Sequence, residues 1–298
     1  MFAINSPAIF LSWIIGCIGL LIAAYTDIKT REVPDWLNYS LIGFGILSSA
    51  LYSVIFWNAW YVIGSVVGLV ICLIIAYAMF YTGQWGGGDS KIIIAMGALF
   101  GLHPLHIALA YGRIPFLIDF FINILLAGAV YGIVWSILLA VRKKDRFLPE
   151  FKRLAAERNV TIYRYAVLGL AIIGIILAFF WNNPFKFMFL SYILAMLIMF
   201  YLWLFVKAVE KSCMLKEVLP EKLTEGDWIV NDIVIGKKRI AGPKDLGISK
   251  EQIAELIAYK KKNKIKTVLI KEGIPFVPSF LIAFLITTFF MNWYLLLL

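Results

Sequence analysis

Two aspartates stand where an apolar chain has reason to avoid charge. Asp27 follows one long apolar run in the stretch YTDIKTREVPDW, and Asp89 precedes another in GQWGGGDSKIII. A carboxylate at or inside a membrane boundary is costly, so each calls for an explanation. Two carboxylates brought together can share one proton, because like charges a few ångströms apart resist joint ionisation. The ionised member then deprotonates a water, while the protonated one polarises a peptide carbonyl and later helps the amine leave. Taken singly, either acid also reads as a loop residue marking a helix end.

The surroundings of Asp89 add to the case. Gly86, Gly87 and Gly88 permit positive φ and close backbone approach, and directly before a helix they can hold the acid near the first turn. A glycine run also fits a flexible linker. A phosphate-cradling loop fits less well, since no Gly-Lys-Ser/Thr follows and an aspartate at that point repels an anion. No alternative nucleophile set is visible. The histidines are His103 and His106, expected on the opposite side of the membrane in a helix-break or interfacial role. Two imidazoles three residues apart would need a further ligand to hold zinc, so no metal is expected. Cys17, Cys72 and Cys213 are too widely spaced for a cysteine-cluster zinc site or a disulfide framework.

The elements that must position these acids are membrane helices. Of 298 residues, 62% are hydrophobic and only 15% charged, where a soluble domain carries roughly a quarter charged. Apolar runs of at least about 18 residues recur, long enough to cross roughly 30 Å of hydrocarbon. Backbone polar groups must satisfy one another there, which favours helices. About eight spans are predicted, near 8–26, 39–57, 61–81, 91–111, 117–141, 162–181, 185–206 and 277–297, the fourth interrupted by Gly101, His103, Pro104 and His106. The first run lacks a basic leader and a small-residue cleavage site, so it reads as a retained helix.

The formal charge of +10 falls mostly between the apolar runs. There it reads as a topology signal and as contacts to anionic membrane lipids, not as a nucleic-acid footprint. Lys29 and Arg31 lie in the first loop, Lys91 near the third, and seven Lys and Arg residues from Arg142 to Arg158 in the fifth; the seventh is lysine-rich, and the even loops are nearly bare. The positive-inside rule therefore places the odd loops, with both aspartates, in the cytoplasm and both termini outside. The fold class expected is an all-α polytopic membrane protein with a small cytoplasmic α+β domain before the last helix. Its divisions are 1–141 as the membrane catalytic core with helices 1–5, 142–206 as a basic loop plus two extra helices, 207–275 as the soluble domain and 276–298 as the last helix. Within 207–275, Asp227–Ile235 reads as a strand, Gly236-Lys237 as a turn into Lys238–Ala241, Ser249 with Gln252 as a capping box, and Lys266–Lys271 as another strand.

The spacing of Asp27 to Pro34-Asp35, followed by Gly86-Gly87-Gly88-Asp89, resembles the type IV prepilin peptidase family, with its Asp, its Pro-Asp seven residues on, and its GxGD at a helix start. The likeness is greatest to the archaeal branch, the preflagellin and prepilin peptidases, and extends to Gly273–Phe284 before the last helix. It covers about 10–110 well and about 215–285 moderately, while about 142–206 looks like an insertion. The resemblance implies a membrane aspartyl endopeptidase without cofactor that removes short basic leader peptides from pilin-like or archaellin precursors at the cytoplasmic face. It places the catalytic pair on Asp27 and Asp89 and the GxGD glycines on Gly86 and Gly88. The tetracysteine motif and methyltransferase portion of the bacterial branch are missing, which implies cleavage without methylation. Glu32 and Asp35 are candidate substrate contacts, attracting a basic leader by charge. Asp119 is expected to snorkel at the outer interface. Two other readings of the acids remain: a presenilin-like intramembrane GxGD protease, although Pro278-Ser279-Phe280 is not the expected Pro-Ala-Leu, and an ion-coupled transporter using both acids as proton carriers.

Overall fold

The computed structural model describes residues 7–102, 115–180, 185–236, 238–290 and 293. Helices α1 (Pro7–Thr30), α2 (Asp35–Ile55), α3 (Trp60–Tyr81), α4 (Gly87–Phe100) and α5 (Phe116–Arg142) come first. Then follow α6 (Lys144–Ala156), α7 (Arg158–Ala178) and α8 (Phe185–Cys213). A mixed segment carries β1 (Leu215–Val218), β2 (Trp228–Ile229), β3 (Ile233–Ile235), β4 (Lys238–Ala241), α9 (Lys250–Lys261) and β5 (Val268–Lys271), and α10 (Val277–Phe289) closes the described chain apart from Trp293.

Among the described residues, six helices, α1, α2, α3, α5, α7 and α8, are long and apolar enough to cross a membrane. The protein is a multi-pass membrane protein. The predicted fourth span is a shorter helix that begins earlier, at Gly87, and stops at Phe100, because Gly101 turns the backbone with φ 55°. Its 14 residues reach about 21 Å, short of the hydrocarbon thickness. The rest of that predicted span, with His103 and His106, lies outside the described residues. The predicted last span appears as 13 helical residues, and apart from Phe290 and Trp293 its remainder likewise lies outside the described residues.

Enclosure takes the place of length for α4. Ile92, Ala95, Met96 and Ala98 are almost fully buried, the pattern of a helix apolar on every side. It packs chiefly against α3 and α2. A Cβ at Gly68 of α3 would fall 2.5 Å from the Gly97 carbonyl oxygen, so only a small-residue seam lets these backbones meet. Ser65 donates to the Ala98 carbonyl across the same seam. Leu20, Leu37, Ala76, Phe120, Phe280 and Phe284 continue the core through α1, α2, α3, α5 and α10.

The basic stretch after Arg142, expected as loop, contains the helix α6. Phe147, Phe151 and Leu154 fall on one face and pack with Val160, Phe200 and Leu204, while the charges take the other face. The expected boundary at 206 falls inside α8, which continues to Cys213, and Lys143 Nζ donates to the Cys213 carbonyl at 2.7 Å.

In the mixed segment, β1, β5 and β2 form an antiparallel sheet in that order, and β3 and β4 form a hairpin. The single strand expected over Asp227–Ile235 is instead two. Trp228-Ile229 pairs with β5, and the chain bends at Val230-Asn231 before Ile233–Ile235 pairs with β4. The last strand begins at Val268, and Leu215–Val218 pairs with it residue for residue. Gly236 takes φ 67° at the predicted turn; Lys237 lies outside the described residues. Ser249 and Gln252 form the predicted capping box, with Ser249 N–H donating to Gln252 Oε1 at 2.8 Å and Gln252 N–H to Ser249 Oγ at 3.3 Å. A separate cluster including Val218, Ile229, Ile240, Leu256 and Val268 forms the core here.

Candidate active site

Asp27 lies in the last turn of α1 and is only 7% exposed. Its Oδ2 accepts the Val277 N–H at 3.0 Å, and the Phe276 amide faces the same carboxylate. These amides sit at the start of α10, where unsatisfied N–H groups and the helix dipole favour an anion. Pro278 at the second helical position fits that start, since it has no N–H to leave unpaired. The partner is 250 residues away in sequence. Arg31 ends α1 in a left-handed conformation, φ 62°, with its N–H donating to the Asp27 carbonyl at 3.0 Å. Its guanidinium lies 5.8 Å from the centre of the Trp135 ring on α5, and its charge acts on Asp27.

Asp89 is the third residue of α4 and is partly buried. Its Oδ2 accepts the Gly86 N–H at 2.9 Å, so the carboxylate caps its own helix. None of the three glycines takes the positive φ that their sequence allows. Close approach is what Gly88 provides: a Cβ there would lie 3.1 Å from Val33 Cγ2, whereas one at Gly87 would meet nothing within 4 Å. Just before the triplet, Trp85 is buried edge-on to Phe280 of α10 and Phe121 of α5, with centroids 5.4 and 6.3 Å apart. Such pairs add about 0.5–1.5 kcal/mol each beyond area burial and fix where α4 begins.

The C-terminal end of α1 and the N-terminal ends of α4 and α10 thus converge, and the charge of Asp27 acts directly on Asp89. The structure brings together the two aspartates singled out by sequence. The flanking acids stand apart from them. Glu32 is exposed, and Asp35 at the start of α2 forms an ion pair with Lys91 of α4. Asp119 does not snorkel. It is fully buried, accepting Asn123 Nδ2 at 3.3 Å in a network that continues through Thr287 and Trp293. A carboxylate inside a bundle is stabilised by such partners, and Asn123, which bonds Asp119 on its own helix, also ties α5 to α10 through Thr287. Among the described residues, no group of three or more His, Cys, Asp or Glu side chains gathers to hold a metal.

Sequence reasoning missed Phe276, Val277, Trp85 and Val33. Backbone amides carry no residue signature; the available signal was the Phe-Val-Pro helix start within the stretch resembling the family.

This geometry coincides with a family match. Residues 14–137 match the type IV leader peptidase family. The preflagellin peptidase of Methanocaldococcus jannaschii is 34% identical over 139 residues, 46% of this chain and 59% of that protein. That of Methanococcus voltae is 42% identical over 89 residues, 30% and 38% of the two chains. Prepilin peptidase EppA of Methanothermobacter thermautotrophicus is 24% identical over 199 residues, 63% and 51%. The matched regions span between 38% and 59% of these relatives' lengths. No solved structure matches the chain. Asp27, the glycine triplet and Asp89 all fall inside the leader peptidase segment; Val277, which holds Asp27, falls outside it.

Proposed function

We propose that the protein is a membrane aspartyl endopeptidase that removes basic leader peptides from pilin-like or archaellin precursors at the cytoplasmic membrane face, with Asp27 and Asp89 as its catalytic pair. The observation carrying this reading is that two carboxylates from distant helices meet at one end of the bundle, each held by a backbone amide of a helix start. Such a pair shares a proton, which belongs to the dyad as a whole. The ionised carboxylate takes a proton from water as the water oxygen attacks the scissile carbonyl carbon. The protonated carboxyl gives its proton to the carbonyl oxygen; the C–N bond then breaks as the amine takes the proton acquired from water, and a hydroxyl of the intermediate returns its proton to the second carboxylate, leaving the acid product and the dyad with its one shared proton.

Loop charge supports the orientation, because the three helix ends that converge adjoin the basic odd-numbered loops. The same reading assigns residues 1–142 and 277–298 to the membrane catalytic part, 143–213 to an inserted unit and 214–276 to the cytoplasmic domain, its limits moved to the observed helix ends. Exposed Glu32 attracts the basic leader, while Asp35 is occupied chiefly with Lys91.

Co-expression with tagged precursors tests the activity. Wild-type protein shortens a precursor and both Asp27→Asn and Asp89→Asn leave it intact, although each inserts normally. Substantial cleavage by Asp27→Asn ends the two-carboxylate mechanism, and proton-coupled uptake that depends on both acids, without cleavage, replaces it with transport. For orientation, cysteines at positions 143 and 261 stay shielded from an impermeant thiol reagent in intact cells, while one at 183 is labelled. Labelling at 143 from outside would reverse the topology.

A further inference from the structure

One face of α5 lines the surroundings of Asp27 with groups that the two-carboxylate chemistry leaves unused. Gly128, Tyr131 and Trp135 follow one another at helical spacings of three and four. A Cβ at Gly128 would fall 2.5 Å from Phe276 Cζ, so this face meets α10 where its amides hold Asp27. Seven residues on, Trp135 carries the guanidinium of Arg31, itself bonded back to the Asp27 backbone. Tyr131 sits between these two contacts, its ring stacked on Trp135 with centroids 5.8 Å apart and planes inclined by 30°. The charges of Asp27 and Arg31 both act on its phenol.

The Tyr131 hydroxyl is buried, and no protein group among the described residues hydrogen-bonds to it. A buried hydroxyl without a partner is costly, so its position wants a reason. Packing alone would be served by phenylalanine, whose ring stacks equally well on Trp135. The one thing phenylalanine lacks is a donor beside Asp27. In the hydrolysis set out above, negative charge develops on the carbonyl oxygen under attack, and a fixed donor in a water-poor site is most effective there.

We propose that the Tyr131 hydroxyl donates a hydrogen bond to the scissile carbonyl oxygen while negative charge develops on it under attack, making Tyr131 a catalytic residue beside Asp27 and Asp89. It gives up no proton; the water proton and the carboxyl proton move as before, and the phenol stabilises charge that exists only during the reaction. The assignment rests on the peptidase reading.

The test is Tyr131→Phe, which removes one oxygen and keeps the stack. With a purified precursor, kcat falls about a hundred-fold, in the range seen on removing one oxyanion donor, while KM changes by less than about two-fold. Precursor capture, measured in an Asp89→Asn background, is the same with and without Tyr131→Phe. Fluorotyrosine at position 131 restores kcat below the pH at which its phenol ionises and loses it above. Unchanged kcat, a loss confined to KM, or weaker capture overturns the donor role while wild-type cleavage stands. If wild-type protein cleaves no precursor, the peptidase reading falls and this assignment with it.

Discussion

The helices around the two aspartates and the pair α7 and α8 are all apolar, yet the protein holds them differently. Of the α1 span, 39% is buried inside the protein, against 17% for α7 and 11% for α8. Around the site, aromatic rings, a Gly68–Gly97 seam and hydrogen bonds at helix ends fix each element against several others. The outer pair meets little except itself, α6 and the end of α5, and turns Ile172, Ile173, Leu194 and Ile198 outward. Hydrophobicity places a helix in the membrane; the close contacts place it against its neighbours. The chemistry depends on the second kind of placement.

Substitutions in the two regions make that contrast measurable. Asp27→Asn or Asp89→Asn has the largest effect, a loss of cleavage of roughly a thousand-fold or more, and the double variant is no worse than either single one because the pair acts as a unit. Next comes Gly88→Val. Its new methyl groups meet Val33, held in the turn between α1 and α2, and kinetics on purified enzyme should show about a ten- to hundred-fold loss, partly restored by Val33→Ala. The same change at Gly174 crowds Ile193 Cδ1, the far end of a flexible side chain facing the outer pair. It is expected to destabilise by about 1–3 kcal/mol in thermal unfolding, with cleavage per folded molecule within about two-fold of wild type. Equal losses at Gly88 and Gly174 would erase the distinction between the regions. The smallest effect belongs to the exposed Lys91–Asp35 pair. Lys91→Met lowers stability by about 0.2–1 kcal/mol, a difference that shrinks as salt is added, and leaves cleavage nearly intact.

How much could be read beforehand follows the same division. Asp27 and Asp89 were legible because a charge at the edge of an apolar run is conspicuous and because their spacing to Pro34-Asp35 and the glycines matches a family pattern. Apolar length gave the long helices to within a few residues, except at the polar end of α8, which runs on past the predicted limit to Cys213. It misjudged α4, where burial among α2, α3 and α5 takes the place of span length, and α6, whose lysines and arginines hid the repeat of Phe147, Phe151 and Leu154. Asp119 looked interfacial from its place near a helix start, but Asn123 and Thr287, which decide its surroundings, come from elsewhere on α5 and from α10. The donors to Asp27 were invisible for a more basic reason: a peptide N–H is the same in nearly every residue, and only the fold selects which one is used.

The contact between Asp27 and Val277 also sets an order of events. Asp27 leaves the ribosome early, and the amide that holds it is made 250 residues later. At about 5–20 residues per second that interval is roughly 10–50 s. Through it the nascent chain carries the acid without its α10 clasp, and helices α2 to α8 are laid down first. Completion of the site therefore waits on α10, so a ribosome that stalls anywhere in the mixed segment releases a membrane-inserted chain whose site is unfinished. Activity becomes a signature of completed synthesis, and a peptide corresponding to residues 273–298, supplied in trans to a chain ending at 272, is the natural piece with which to ask whether the clasp can be closed afterwards.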